Sequence, residues 1–161
     1  MGKKLVVFYS AQGHTRAVSE KVAKSLGADL FELQPVQPYT EADFDWTNPD
    51  SRVSREHDDE NLRNIDLVQE TPDNWDEYDT VLIGYPIWYG IAAWPVNRFV
   101  KINSFINKTV APFCTSHSSP LGDSDKLLQN MTTSGEWKEG FRFSQEPSDM
   151  EIESWVHGLG L

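Results

Sequence analysis

The N-terminal strand, loop and helix constrain the fold more than any other part of the chain. Residues 5–9 (LVVFY) are apolar and predict a buried strand, and a helical pattern begins near His14. The loop between them, residues 10–13 (SAQG), carries small, hydroxyl and amide side chains. Backbone N–H groups at the start of a helix form a favourable site for a phosphate. This segment therefore predicts a phosphate-binding turn, and the alternative is a loop that caps the helix and binds nothing.

Length and composition predict one globular domain. The chain has 161 residues, so we expect a single domain over residues 1–161. A domain of roughly 150 residues buries about two thirds of its unfolded surface, which is enough for a core. The single cysteine, Cys114, excludes an internal disulfide and a cysteine-based metal cluster, and we predict no metal site. The sequence has no signal peptide pattern and no stretch long enough to cross a membrane, so we expect a cytoplasmic protein.

The negative charge of the chain is concentrated in one segment. Residues 41–79 contain 14 acidic residues against Arg52, Arg55 and Arg63, a net charge of −11, and the rest of the chain is neutral. This distribution argues against nucleic acid or an anionic membrane as a partner. One interpretation is a solvated loop that keeps the protein soluble. The other is a docking surface for a basic partner.

Strand and helix patterns alternate along the chain. Gly27 is suited to end the first helix, Pro95 to begin another, and Ser148 with Glu151 forms a capping-box pattern. Repeated βα units predict an α/β fold with a mostly parallel sheet covered by helices on both faces. Residues 36–76 show no sustained period and predict a long irregular segment, in which 61–67 could form a short strand or a turn of helix. The predicted strands are 3–9, 29–33, 80–85, 109–114 and 141–143, and the predicted helices start near 14, 95, 127 and 148.

Three unusual loops follow the first, third and fourth predicted strands, at residues 10–15, 86–90 and 115–119. In a sheet of order 2-1-3-4-5 these strands are neighbours, so their loops would converge on one crevice at the carboxyl edge. The first loop lacks both the G-x-G-x-x-G pattern and the Walker lysine. Its residues therefore do not favour a dinucleotide or a nucleoside triphosphate.

The side chains of the other two loops suit a flat polar heterocycle. Trp88 and Tyr89 could stack on a planar ring, although packing in the core is the alternative for both. Gly90 could permit a change of backbone conformation that a Cβ would resist. The Ser/Thr-rich third loop could donate hydrogen bonds to the edge of a ring. Together with the phosphate turn, these loops predict a ligand that is a phosphorylated, flat heterocycle.

These motifs resemble those of the flavodoxins, small FMN-binding electron carriers, and in particular the short-chain bacterial group. The resemblance is carried by residues 8–15 (FYSAQGHT), 83–90 (IGYPIWYG) and 113–116 (FCTS). It implies a flavodoxin-like three-layer sandwich: a five-stranded parallel sheet of order 2-1-3-4-5, with FMN bound noncovalently at its carboxyl edge. Gln12 and His14 stand where the family commonly has Thr and Asn, which would make the affinity for phosphate depend on pH.

The resemblance also implies which residues bind FMN. The turn would hold the phosphate, residues 86–90 would line the ring, and the third loop would meet its pyrimidine side. No catalytic side chain is implied, because the cofactor carries the chemistry. The predicted FMN-binding residues are Ser10, Gln12, Gly13, His14, Thr15, Arg16, Pro86, Ile87, Trp88, Tyr89, Gly90, Thr115, Ser116, His117 and Ser118.

The function that follows is one-electron transfer between redox partners. We expect the acidic segment, residues 41–79, to steer basic redox partner proteins and, where it borders the flavin, to lower its potential. The alternative is an NAD(P)H-dependent, FMN-containing quinone or flavin reductase on the same fold. A signalling receiver domain fits poorly, because Tyr85 and Pro86 stand where an acidic phosphate acceptor would be needed.

Overall fold

The computed structural model describes residues 2–161, so the first residue of the predicted domain lies outside the described range. Strands and helices alternate as the sequence predicts. The strands are β1 Lys3–Phe8, β2 Asp29–Glu32, β3 Tyr78–Trp88, β4 Ile91–Ala92, β5 Thr109–Thr115, β6 Glu136–Trp137 and β7 Phe141–Phe143. The helices are α1 His14–Leu26, α2 Arg52–Asp58, α3 Pro95–Ile102, α4 Ser124–Thr132 and α5 Asp149–Gly158.

The central sheet has the order β2-β1-β3-β5-β6, and these five strands run parallel. Counted along the chain without the short β4, this is the predicted 2-1-3-4-5 order, which is confirmed. The pairing places Val7 beside Ile83 and Ile83 beside Pro112. Strands β1, β3 and β5 are therefore neighbours at the centre of the sheet.

Each face of the sheet has its own hydrophobic core, because successive side chains of a strand point to opposite faces. Val7 and Ile83 belong to the core that includes Phe99 of α3 and Leu128 of α4. Val6 of β1 belongs to the other core, with Val18 and Val22 of α1 and Ile152 and Val156 of α5. Helices therefore cover both faces, and the three-layer sandwich is confirmed.

The predicted helix ends are present at the expected residues. Gly27 ends α1 with φ of 70°, a left-handed conformation that glycine adopts without a steric penalty. Pro95 is the first residue of α3. The Ser148 hydroxyl accepts from the Glu151 N–H, and the Glu151 carboxylate accepts from the Ser148 N–H, which completes the capping box. Over residues 2–161, none of the helices is long and apolar enough to span a bilayer.

The prediction that residues 86–90 form an open loop is wrong in its boundary. Strand β3 continues to Trp88 and then folds back, pairing antiparallel with β4. The turn consists of Tyr89 and Gly90, with φ of 51° and 82°. A two-residue hairpin of this kind needs positive φ at both positions, and only one of the two residues is a glycine. The hairpin was therefore not evident from the sequence.

The predicted fifth strand, residues 141–143, is present as β7, and a further short strand that was not predicted, β6, shares this position beside β5. Strands β6 and β7 both pair with β5, β6 along its first residues and β7 along its last. Between them the chain passes close to α4, where the Gly140 N–H donates to Asp125 at 2.8 Å. A Cβ at Gly140 would lie 2.8 Å from the Asp125 Cβ, so this close approach needs a glycine.

Residues 36–76 are more regular than predicted, because they contain α2, two short 3-10 helices at Ala42–Phe44 and Glu60–Arg63, and the start of a third at Trp75–Glu77. The Ser51 hydroxyl caps α2 by accepting from the Ser54 N–H. Leu67 forms an isolated antiparallel bridge with Pro35, and the chain has a 3-10 helix at Glu60–Arg63 rather than a strand. A helix of seven residues is too short to show a clear period and too short to be stable alone, so only its packing reveals it.

Candidate functional site

A cleft of about 610 Å³ lies at the carboxyl ends of β1, β3 and β5. This volume is within the range of sites that bind small molecules and cofactors. The three predicted loops meet there, and eleven of the fifteen predicted residues line the cleft. They are Gln12, His14, Thr15, Pro86, Ile87, Trp88, Tyr89, Thr115, Ser116, His117 and Ser118. The predicted residues that do not line it are Ser10, Gly13, Arg16 and Gly90.

The first loop presents the start of α1 to the cleft. Gly13 is the N-cap with φ of 93°, and it has no side chain that could cap the helix. The Ser10 hydroxyl accepts instead from the N–H groups of Gly13 at 3.1 Å and Arg16 at 3.2 Å. The N–H groups of His14 and Thr15 have no protein acceptor among residues 2–161. Ser10 therefore shapes the turn, and these two N–H groups are available to an anion.

The first and third loops are joined directly. The hydroxyls of Thr15 and Thr115 are 2.7 Å apart, and both side chains are buried. This contact holds the start of α1 against the end of β5. Arg16 turns away from the cleft and forms an ion pair with Glu32, which raises the pKa of the guanidinium further. The guanidinium therefore has a carboxylate partner and lies outside the cleft.

Trp88 packs in a cluster of aromatic rings and lines the cleft as well. Its ring centroid lies 5.6 Å from that of Tyr9, 5.1 Å from Tyr39, 5.7 Å from Phe44 and 4.9 Å from Trp94. All four contacts are edge-on, which is a favourable geometry for aromatic pairs. The position of Trp88 is therefore compatible with both predicted roles, packing in the core and stacking on a planar ligand.

Tyr89 is the more accessible of the two hairpin aromatics, with 40% of its surface exposed. Its ring stacks on His57 of α2, with centroids 3.8 Å apart and planes inclined by 11°. The Tyr89 hydroxyl lies 3.3 Å from that of Ser54. The acidic segment thus contacts the hairpin directly, through α2.

The outer wall of the cleft comes from residues that the sequence could not place. Phe44, Trp46 and Val53 belong to the segment 36–76, and each lines the cleft. Trp46 is 71% exposed and has no aromatic neighbour within residues 2–161. No local pattern marks these residues, because their position depends on how a long segment folds back over the sheet. Ala11, Ser119 and Gln145 complete the lining.

A buried carboxylate holds this wall in place. Glu56 of α2 is 6% exposed and accepts from the Tyr39 hydroxyl at 2.5 Å and the Trp94 indole N–H at 2.9 Å. Arg52 donates to its second oxygen at 3.1 Å, and the guanidinium also lies 3.6 Å from the centre of the Tyr39 ring. One side chain therefore ties α2 to Tyr39 in the segment before it and to Trp94, the N-cap residue of α3.

The buried hydroxyl and thiol groups near the cleft remain protonated at neutral pH. Burial raises the pKa of Tyr9, and burial together with the hydrogen bond to Glu56 raises the pKa of Tyr39. Burial also raises the pKa of the Cys114 thiol to about 12. A thiol needs its deprotonated form to act as a nucleophile, so Cys114 is a structural residue of β5.

Comparisons with known proteins give a consistent result. A family model described as Flavodoxin matches residues 3–159. A crystal structure of a candidate flavoprotein from Bacteroides eggerthii has 37% identity and a TM-score of 0.89, covering 100% of this chain and 99% of its own. Another, from Bacteroides uniformis, has 34% identity and a TM-score of 0.88, covering 97% of this chain and 98% of its own. No curated protein sequence matches the chain significantly.

A flavoprotein from Lactobacillus acidophilus, crystallised in complex with FMN, shares the fold at lower identity. It has 22% identity and a TM-score of 0.67, and the match covers 96% of this chain and 99% of that one. The family match extends over almost the whole described chain, and the strand order is the one that the resemblance in the sequence implied. On this evidence the chain belongs to the flavodoxin family.

Proposed function

We propose that the protein binds FMN noncovalently in the cleft and transfers electrons between redox partners. The observation that carries this proposal is that three features border one cleft: the start of α1, whose His14 and Thr15 N–H groups have no acceptor among the described residues, the aromatic hairpin and the polar third loop. A phosphate needs directed donors, a flavin ring needs flat apolar surface, and its pyrimidine edge needs polar partners. The cleft contains all three.

The residues present fit FMN in kind and in position. The N–H groups of His14 and Thr15, with the Gln12 amide, would hold the phosphate. Trp88 and Tyr89 would border the ring, and the loop at 115–118 would meet its polar edge. Bound FMN would supply the electron-transfer chemistry, which no protein side chain in the cleft provides. The FMN complex of the Lactobacillus acidophilus flavoprotein, which has the same fold, supports this choice of cofactor.

Incubation with FMN tests the proposal directly. After incubation with excess FMN and gel filtration, the protein should be yellow, and denaturation should release FMN in about a one-to-one ratio. Adenine dinucleotides provide a control, because the first loop lacks the fingerprint that binds them. A protein that remains colourless after incubation with excess FMN would overturn the proposal.

The second candidate is an NAD(P)H-dependent quinone or flavin reductase, and the exposure of Trp46 favours it. This side chain lines the cleft and has no aromatic neighbour in the described part of the chain, so it is available to a second planar molecule. A reductase should oxidise NAD(P)H steadily when a quinone is added. A carrier should do so only when a separate reductase is present, and that requirement would exclude the second candidate.

We also propose that the acidic surface of residues 41–79 docks a basic redox partner. The structure shows that some of its carboxylates have internal partners, since Asp66 and Glu70 pair with Arg98 and Glu56 is buried. Asp58 lies 3.5 Å from His57 and Glu60 lies 3.9 Å from Arg63, but their side chains are 73% and 86% exposed. Charges of this kind accelerate association at low salt. Electron transfer to a small basic haem protein should therefore slow as salt is added, and a rate independent of salt would contradict the proposal.

The carboxylates of Asp58 and Glu60 should also lower the redox potential of bound FMN. We expect Asp58→Asn with Glu60→Gln to raise the midpoint potential at low ionic strength, by about 20 mV for each charge at ~10 Å. Asp59 is left unchanged because its carboxylate accepts from the Asn61 N–H and caps a 3-10 helix. Glu153→Gln on α5, on the other face of the sheet, is the matched control. A midpoint that does not move in the double variant would show that this segment does not tune the flavin.

A further inference from the structure

Arg142 on β7 holds the third loop through four hydrogen bonds. Its Nε donates to the Ser116 hydroxyl at 2.7 Å and to the Ser119 carbonyl at 2.9 Å. Its second terminal nitrogen donates to the carbonyls of Ser116 and His117, both at 3.1 Å. A planar guanidinium is suited to several acceptors at once, and a lysine could not reproduce this pattern.

The charge of Arg142 is not neutralised by a neighbouring carboxylate. In the part of the chain that the structure describes, no Asp or Glu oxygen lies within 4 Å of its nitrogens, whereas Arg16, Arg52 and Arg98 each have an acidic partner. The acceptors of Arg142 are neutral oxygens of one loop. The positive charge is therefore concentrated directly behind that loop.

The carbonyls bound to Arg142 determine where the neighbouring N–H groups point. In a trans peptide the C=O and the following N–H point in opposite directions, and residues 2–161 contain no cis peptide. The carbonyls of Ser116 and His117 face the guanidinium, so the N–H groups of His117 and Ser118 point to the other side of the loop. Both residues line the cleft and Arg142 does not. Neither N–H has a protein acceptor within the described chain.

We propose that Arg142 is a positioning residue that turns the His117 and Ser118 N–H groups into the cleft and favours negative charge on the group bound there. This inference rests on the proposed function, because the group is FMN, whose reduced form carries more negative charge than its oxidised form. Two aligned donors with a fixed positive charge behind them stabilise an anion more than a neutral acceptor. Arg142 therefore raises the affinity for reduced FMN more than for oxidised FMN.

The test compares the two affinities in native protein and in Arg142→Gln. We expect the variant to lose about tenfold more affinity for reduced than for oxidised FMN, which equals a fall of about 30 mV in the two-electron midpoint potential. Arg142→Lys keeps the charge but not the planar set of donors, so the midpoint potential of bound FMN should fall less in this variant than in Arg142→Gln. Lys126→Gln on α4 removes one positive charge from an exposed position and should change the ratio of affinities less than twofold.

Each outcome decides one question. If native protein binds no FMN, the proposed function fails. If it binds FMN and Arg142→Gln keeps the native ratio of affinities, only the inference about Arg142 is overturned. Should Arg142→Gln fail to fold, amide NMR of the native protein decides: FMN should shift the N–H signals of His117 and Ser118, and unshifted signals would contradict the inference.

Discussion

Riboflavin, which lacks the phosphate of FMN, should bind at least a hundredfold more weakly than FMN. Within residues 2–161, two N–H groups at the start of α1, those of His14 and Thr15, have no protein acceptor, and the N-terminus of a helix carries about half a positive charge. A hydrogen bond to a charged group contributes about 1.5–3 kcal/mol. Two such bonds amount to about 3–6 kcal/mol, and each 1.4 kcal/mol is roughly tenfold in affinity.

Titration of the unliganded protein with each flavin measures this difference, with binding monitored by the quenching of flavin fluorescence. Ser10→Ala is the informative variant, because it removes the acceptor that fixes the turn without touching the cleft lining. It should reduce the preference for FMN over riboflavin and leave the affinity for riboflavin nearly unchanged. Equal affinities for FMN and riboflavin in the native protein would show that the first loop only caps its helix.

Replacing Glu56 with alanine should lower the free energy of unfolding by about 3–5 kcal/mol. The change removes the acceptor of the Tyr39 hydroxyl and the Trp94 indole N–H, and it leaves the Arg52 side chain, of which only 15% is exposed, without its carboxylate. Breaking a buried ion pair in this way is strongly destabilising because one charge stays buried without compensation. Without these contacts, the wall formed by Phe44, Trp46 and Val53 should become more mobile.

Urea unfolding measures this loss, and Glu60→Ala is its matched control on the same segment. The Glu60 side chain is 86% exposed and lies 3.9 Å from Arg63, so its removal should change stability by less than about 0.5 kcal/mol. A Glu56→Ala variant as stable as the control would contradict the structural role assigned to Glu56. If the unfolding free energy of both variants falls with urea concentration as steeply as that of the native protein, the difference between the variants reflects stability alone.

The contact of Thr15 could be expected from the sequence, whereas the contacts of Arg142 could not. Thr15 and Thr115 belong to motifs recognised on separate strands, and their hydroxyls meet at 2.7 Å because those strands end at the same edge. Arg142 lies in a short strand without a distinctive motif, and its partners are backbone carbonyls, which leave no trace in the residue types. The same is true of Glu56, whose acid group looks like any other in a segment rich in acids.

The sequence by itself determined the alternation of strands and helices and the three loops that follow the strands, and the resemblance of its motifs to the flavodoxins implied the order of the sheet. The alternation and the loops depend on local signals: apolar runs, capping residues and the spacing of apolar positions, each contained within a few residues. Only the tertiary structure decided the hairpin at Tyr89 and Gly90, the further strand β6 beside β5 and the course of residues 36–76. Those features depend on contacts between residues far apart in the chain, such as Glu56 with Trp94, whose energies no local pattern encodes.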